Sequence, residues 1–373
     1  MRRSTISGSL QIKGKAPSFL IVALRYIGDV LVTTPLALSI KRALPEARVE
    51  YLVFEGTEAV LAKNPCVDRV HTIPRGAKDP RHLLRLAKKF DWALGCGGSD
   101  RTVIAAAVCG RRAAAFDWGR WWERLLLDYR CPYDDSRHAV RQMLALLEPL
   151  GIAPVPAVTM GFDDADRAFV RERLPPGSYV VLHPYSRGRY KYWPARRWGE
   201  LAALILRETG CRPLFTVTGA PEDAAFLEEI LALAPKGCRR LEKVSLSRLA
   251  AAIEGAAAYV GIDTVVSHLA AAVGTEVVAI LGPTRTCFWA PWPNGSPQLS
   301  PFAANRGVQR SGNVAVVQKS WDCVPCNKVT CSRSGGERID CLEELEAHEV
   351  FQVLCESLAL HGAETDIALR EGR

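Results

Sequence analysis

Asp29 is the first residue in the chain whose type and setting suit acid–base chemistry. It follows residues 19–24, an apolar run rich in β-formers that reads as a buried parallel strand. Gly28-Asp29 then marks a turn. Leu31, Leu36, Leu38 and Ile40 precede the basic pair Lys41-Arg42, so a helix is predicted from near Asp29 to a stop before Pro45. A carboxylate at a strand-to-helix junction has two readings. It caps the helix, or it is a general base at the sheet edge where open parallel sheets bind ligands.

A second set of polar residues lies in the other half of the chain. Ser186 and Lys191 follow a strand over 179–183, Glu222 follows one over 214–217, Asp263 and Thr264 follow 259–262, and Thr284 follows 276–281. His268 lies on the helix predicted over 265–273. Strand ends that converge on one sheet edge form a pocket, here expected opposite the Asp29 loop. The amides that open the 265 helix suit a phosphate, and Lys191 supplies a point charge. Asp263 has the wrong sign for phosphate and is expected to cap that helix and fix its loop. His268 is either a core histidine or a ligand contact.

Two further clusters carry chemistry. Cys323-x2-Cys326-x4-Cys331-x9-Cys341 has metal-ligand spacing, and four thiolates suit a structural clip of tetrahedral zinc or iron. Disulfides and reduced thiols are the other readings. The remaining eight cysteines are scattered singly and read as small buried side chains. Residues 116–124 group three Trp with Arg120 and Arg124, which suits sugar stacking and phosphate pairing or the packing of a surface helix.

These residues need a scaffold of some size. A chain of 373 residues is long for one core, so two domains are expected. With 48% apolar and 24% charged residues the composition is that of a globular protein and excludes a disordered one. No apolar run reaches the roughly 20 residues of a membrane-spanning helix. The net charge of +8 is lopsided: residues 1–150 hold 24 Lys and Arg against 15 Asp and Glu, and the rest are nearly balanced. The N-terminal half is thus suited to something acidic, phosphates or an anionic membrane surface. Residues 1–18 read as a basic disordered arm, too short in its apolar part for a signal peptide. Strand and helix then alternate, break at Pro154, Pro156 and Gly161, and restart near Tyr179. The expected domains are 19–155 and 156–320, followed by a Cys-rich segment and C-terminal helix over 321–373.

Arg25-x-Ile27-Gly28-Asp29-x4-Thr34-Pro35, with Asp263-Thr264-x2-Ser267-His268-Leu269-Ala270-Ala271-Ala272 and Gly282-Pro283-Thr284 downstream, resembles glycosyltransferase family 9, the bacterial heptosyltransferases. Asn64-Pro65-Cys66-Val67-Asp68 and Phe288-Trp289-Ala290-Pro291-Trp292 place the resemblance nearest the heptosyltransferase III type. It spans about residues 19–300. Position 265 is Val where several members carry Gly. The resemblance implies an α/β GT-B architecture, two Rossmann-like domains whose parallel sheets face a central cleft, with the acceptor in the first and the donor in the second. It implies inverting transfer of heptose from ADP-heptose to a hydroxyl of the lipid A–core acceptor, with no cofactor required and no nucleic acid partner. Asp29 then matches the catalytic base, Lys191 the donor-phosphate lysine, Ser186 a phosphate-side hydroxyl and Glu222 the ribose contact. Asp263, Thr264, His268 and Thr284 match the donor loops, and Arg25 and Arg120 are assigned to the acceptor. The expected location is cytoplasmic, peripheral at the inner membrane. The same residues also fit a sugar transferase acting on another glycan or a protein, or a nonenzymatic nucleotide-sugar binding protein.

Overall fold

The computed structural model describes residues 16–371, except 77–79, 242, 299 and 337; from residue 360 onward only the backbone of the last helix is described. Residues 1–15, most of the expected arm, lie outside the described residues, and Ser18 already opens the first strand. Chain contacts divide the protein into two compact units, Met1–Gly161 and Phe162–Arg373.

The first unit is built on a six-stranded, all-parallel sheet. Its strands are β1 (Ser18–Ala23), β2 (Arg48–Phe54), β3 (Arg69–Ile73), β4 (Phe90–Gly95), β5 (Gly110–Asp117) and β6 (Tyr129–Pro132). They lie in the order β3-β2-β1-β4-β5-β6. This is the doubly wound order in which direction reverses between the first and fourth strands, so the loops after β1 and β4 part there and leave a crevice. Every residue of β1 is buried, as a central strand covered on both faces requires.

The helix expected from Asp29 to Pro45 is two helices, Ile27–Leu31 and Thr34–Ala43. The Thr33 and Thr34 hydroxyls donate to the carbonyls of Val30 (2.7 Å) and Leu31 (2.8 Å), and such side-chain competition for the backbone interrupts the helix. Asp29 is therefore held on a short first turn.

The second unit repeats the plan. Its strands are β7 (Tyr179–His183), β8 (Arg212–Thr216), β9 (Arg239–Leu241), β10 (Ala258–Ile262), β11 (Val277–Ile280), β12 (Gln309–Ser311) and β13 (Val314–Val317). Their order is β12-β13-β11-β10-β7-β8-β9, parallel except for the edge strand β12. The reversal falls between β7 and β10, which places the loops carrying Ser186 and Asp263 side by side. The helix Ala195–Glu208 buries Trp198, Leu201, Ala202 and Ile205, three to four residues apart, and leaves Arg196 and Glu200 in water. Full burial of a side chain such as Ile205 contributes roughly 1.5–3 kcal/mol.

Residues of the segment set apart in the sequence, from Trp321 to Leu358, join this second core. Cys341, Leu342, Leu345, Val350 and Leu354 are buried with Trp193 and Trp198. The Trp193 indole donates to the Leu345 carbonyl at 3.0 Å. Leu342 also explains Gly282, where a Cβ would meet the leucine side chain at 2.8 Å. The segment therefore supports the loop that carries Thr284.

Candidate active site

Asp29 sits just past the carboxyl end of β1, at the reversal point of the first sheet. It is not the N-cap, a position held by Tyr26. It lies inside the first turn, where its Oδ2 accepts the Tyr26 amide at 3.2 Å and its Oδ1 lies 3.6 Å from Arg25 Nε. The side chain is 22% exposed, so the carboxylate reaches solvent while most of its surroundings are protein. Burial raises its pKa above the ordinary carboxylate value, against the opposing pull of Arg25 and the amide. A carboxylate made more basic at an open sheet edge is suited to taking a proton.

The glycine loop after β4 forms the other wall of this crevice. The Cβ that Gly97 lacks would lie 3.5 Å from the Arg25 side chain, and that of Gly98 would collide with the Trp118 ring at 2.7 Å. Arg25 is exposed and faces this loop. Arg120 is differently placed: it pairs with Asp100 at 2.9 Å and Glu123 at 3.4 Å and donates to the Gly98 carbonyl at 3.0 Å. Its charge is spent on holding two loops together. Two arginines that sequence reasoning passed over lie at the same edge. The Arg75 guanidinium stacks on Tyr26 (5.0 Å) and Phe54 (4.9 Å), and Arg101 lies 5.7 Å from Phe54 and donates to the Arg75 carbonyl at 2.8 Å. The signal that could have found them is their position just after β3 and at the start of the helix after β4.

In the second unit the polar strand-end residues gather around Asp263. Its Oδ2 lies 2.7 Å from Lys191 Nζ and accepts the Thr284 hydroxyl at 2.5 Å, while the Ser186 hydroxyl donates to its backbone carbonyl at 2.9 Å. Four residues from three strand ends thus form one cluster. The expectation that Asp263 caps the next helix is corrected: Thr264 is the N-cap of Val265–Ala272, and no side chain caps that end. Asp263 is drawn away because a nearly buried carboxylate beside an ammonium gains more from the ion pair than from a cap. The amides opening this helix remain available to an anion.

His268 stands one turn along this helix, 7% exposed, with Nδ1 lacking a hydrogen-bond partner among the described residues. Burial, with Lys191 adding to it and Asp263 opposing, pushes its pKa down to about 4, so the imidazole is neutral at pH 7. Glu222 lies exposed on the first turn after β8, and among the described residues no hydrogen bond or ion pair joins it to Asp263, Lys191, Ser186 or Thr284. Its neighbour Asp223 accepts from the Tyr192 hydroxyl at 2.5 Å and from Thr218 at 2.7 Å, which ties the β7 and β8 loops together. Gln318, past β13, is a further residue missed in sequence. Its amide donates to the carbonyls of Gly282 (2.6 Å) and Thr284 (2.9 Å). A separate concavity of about 490 Å³, bordered by Arg189, Phe226 and Arg338, includes none of Ser186, Lys191, Asp263 or Thr284.

The cysteine cluster is drawn together without forming a cage. Burial first, and then Cys326, Cys331 and Cys323, push the Cys341 thiol up to about 12. Cys323 and Cys326 are exposed. Among the described residues no group of three or more His, Cys, Asp or Glu side chains is arranged to hold a metal ion. No step of the chemistry below is routed through these thiols. Among the described residues, no helix is long and apolar enough to cross a membrane.

Comparisons with known proteins converge on one family. The model for glycosyltransferase family 9 (heptosyltransferase) matches residues 83–309. Lipopolysaccharide heptosyltransferase 3 of Escherichia coli is 27% identical over 306 residues, which cover 74% of this chain and 86% of that protein. The family 9 glycosyl transferase of Veillonella parvula superposes with a TM-score of 0.76 at 18% identity, covering 93% of this chain and 99% of that one. E. coli heptosyltransferase WaaC with ADP-2-deoxy-2-fluoro heptose gives 0.65 at 23% identity, over 91% and 99%. The iron-containing glycosyltransferase TibC of enterotoxigenic E. coli gives 0.53 at 15%, over 92% and 76%. These likenesses bear out the GT-B class of two Rossmann-like α/β domains with parallel sheets.

Proposed function

The chain belongs to glycosyltransferase family 9, the heptosyltransferases, and from that premise we propose that it moves heptose from ADP-heptose to a hydroxyl of a lipopolysaccharide core acceptor, with inversion and with Asp29 as the base. That it is a glycosyltransferase follows from the family. The donor is supported by the relative named for lipopolysaccharide heptosyltransfer and by a WaaC structure that holds an ADP-heptose analogue. The observation that carries the mechanism is Asp29, a partly exposed carboxylate at the reversal point of the first sheet whose pKa burial raises.

The step is a single displacement. The acceptor oxygen attacks the anomeric carbon and gives its proton to an Asp29 oxygen. A new carbon–oxygen bond forms as the bond to the β-phosphate oxygen breaks, and ADP leaves with the electron pair. Attack from the face opposite the leaving group inverts the anomeric centre, so one carboxylate suffices. Charge growing on ADP is met by Lys191, by the Ser186 hydroxyl and by the open amides before Val266, groups already in place before the reaction. Lys191 then exchanges part of its pairing with Asp263 for the diphosphate. Neutral His268 offers its unpartnered nitrogen to a polar group of the donor, and Glu222 is suited to the ribose hydroxyls. On the acceptor side Arg25 faces the crevice, with Arg75 and Arg101 nearby for phosphates. Arg120 serves by fixing the loop beside them. Membrane contact is the expected setting for a lipid-linked acceptor.

The full-length protein is expected to release ADP from ADP-heptose when given a heptose-deficient core acceptor and to add one heptose mass to it. Donor bound stably with no transfer to any core acceptor would overturn the assignment. Transfer from another nucleotide sugar in preference to ADP-heptose would overturn the donor.

A further inference from the structure

We propose that residues 118–126 form a rigid apolar wedge that seats the first unit on an anionic phospholipid surface; this rests on the reading of the acceptor as lipid-linked. Trp121 is 72% exposed and Leu125 75%, with Leu126 at 41% and Trp118 at 38%. Large apolar side chains grouped on so short a stretch are uncommon on a surface that meets only water.

Their exposure is built in. Glu123, with no exposed surface, accepts the backbone amides of Trp118 (3.0 Å) and Arg120 (3.2 Å), and Arg120 pairs with it. Leu127 is buried below, and Trp122 packs against the core of the sheet. The loop is thus clamped from inside while Trp121 and Leu125 are held outward. A collapsed loop would have turned them in.

Position and charge select the occupant. Arg120 binds the Gly98 carbonyl and Trp118 lies on Gly98, next to the Gly97 that faces Arg25, so the wedge stands on the sheet edge that carries Asp29. Exposed Arg124 lies within the wedge, and Arg75 and Arg25 are exposed on the same edge. A tryptophan at the headgroup level, leucines below it and arginines around it match an anionic bilayer interface. A second copy matches poorly, because a two-fold pairing of this patch brings its own arginines together. With the wedge seated, a lipid-linked acceptor is presented to Asp29 without leaving the membrane.

The test is flotation of the full chain with vesicles of phosphatidylethanolamine and phosphatidylglycerol, beside vesicles of phosphatidylcholine alone. The wild type is expected to float with the anionic vesicles, and Trp121→Ser/Leu125→Ser to lose roughly tenfold or more of that partition. Turnover on a water-soluble, delipidated core saccharide is expected to be unchanged, which also shows the variant folded. Equal flotation of the two proteins overturns the wedge, as does a wild type that ignores anionic vesicles. A wild-type dimer converted to monomer by the double substitution assigns the patch to self-association and overturns it too. Failure of the transferase reading is seen separately, as absent turnover in both proteins.

Discussion

Asp29→Ala is expected to lower kcat by roughly 10²- to 10⁴-fold, the usual contribution of a positioned general base, while the Kd for ADP-heptose stays where it was. The split matters because Asp29 belongs to the first unit and the donor residues to the second. The pH profile sharpens it. The base works deprotonated, so the rate rises with pH through the Asp29 pKa, which burial places above the ordinary carboxylate value of 3.8. Asp29→Asn is expected to lose that rising limb together with the rate. Stability should move the other way. A carboxyl whose folded pKa is raised favours the fold while protonated, below its unfolded pKa, and that contribution is lost as pH rises through the folded value. At pH 7 the wild type carries the cost of an ionised, partly buried Asp29, and Asn removes it while its side-chain oxygen still accepts the Tyr26 amide. Thermal unfolding should therefore show Asp29→Asn at or above the wild-type Tm. An Asn variant that turns over at the wild-type rate removes Asp29 from the base role.

Lys191→Ala is expected to lower kcat/KM by roughly 10²- to 10³-fold, the effect of removing one charge-stabilising donor from a leaving group. Because Lys191 is paired with nearly buried Asp263, the substitution also leaves a carboxylate short of its cation and should lower Tm. The double variant Lys191→Ala/Asp263→Asn separates the effects: Tm should return while the rate does not. Recovery of rate with Tm would show that Lys191 only props the loop. Lys191→Arg should restore little, since a planar guanidinium does not replace a compact ammonium at the same point.

Much of the Asp263 cluster was legible because polar residues at successive strand ends of a parallel sheet meet at one sheet edge. Ser186, Lys191, Asp263 and Thr284 do meet there. Their pairing was not legible: nothing in the spacing says that Asp263 abandons the helix cap for Lys191. Helix Ala195–Glu208 shows its apolar spacing, and Pro221 its place in the first turn of Pro221–Leu233, in the sequence itself. The strand β5 carries no strand signal in the sequence, because its Ala113-Ala114-Ala115 run has helix propensity. Tertiary packing overrides it: where the fold brings Gly95 so near Ala115 that an added Cβ would stand 2.9 Å away, only small side chains fit. Residues 116–124 read as a sugar- and phosphate-binding stretch or as the packing of a surface helix; the buried Glu123 that accepts the Trp118 and Arg120 amides was not legible. Arg120 was assigned to the acceptor, but its pairing with Asp100 and Glu123 was not legible.

The anomeric configuration of the transferred heptose is the most direct reading of the central claim that one carboxylate, acting as a base and not as a nucleophile, drives a single displacement. Proton NMR of the product made from ADP-heptose and a core acceptor is expected to show the configuration opposite to that of the donor. Product with the donor's configuration retained would contradict the account, because a lone base assisting one backside attack cannot deliver it.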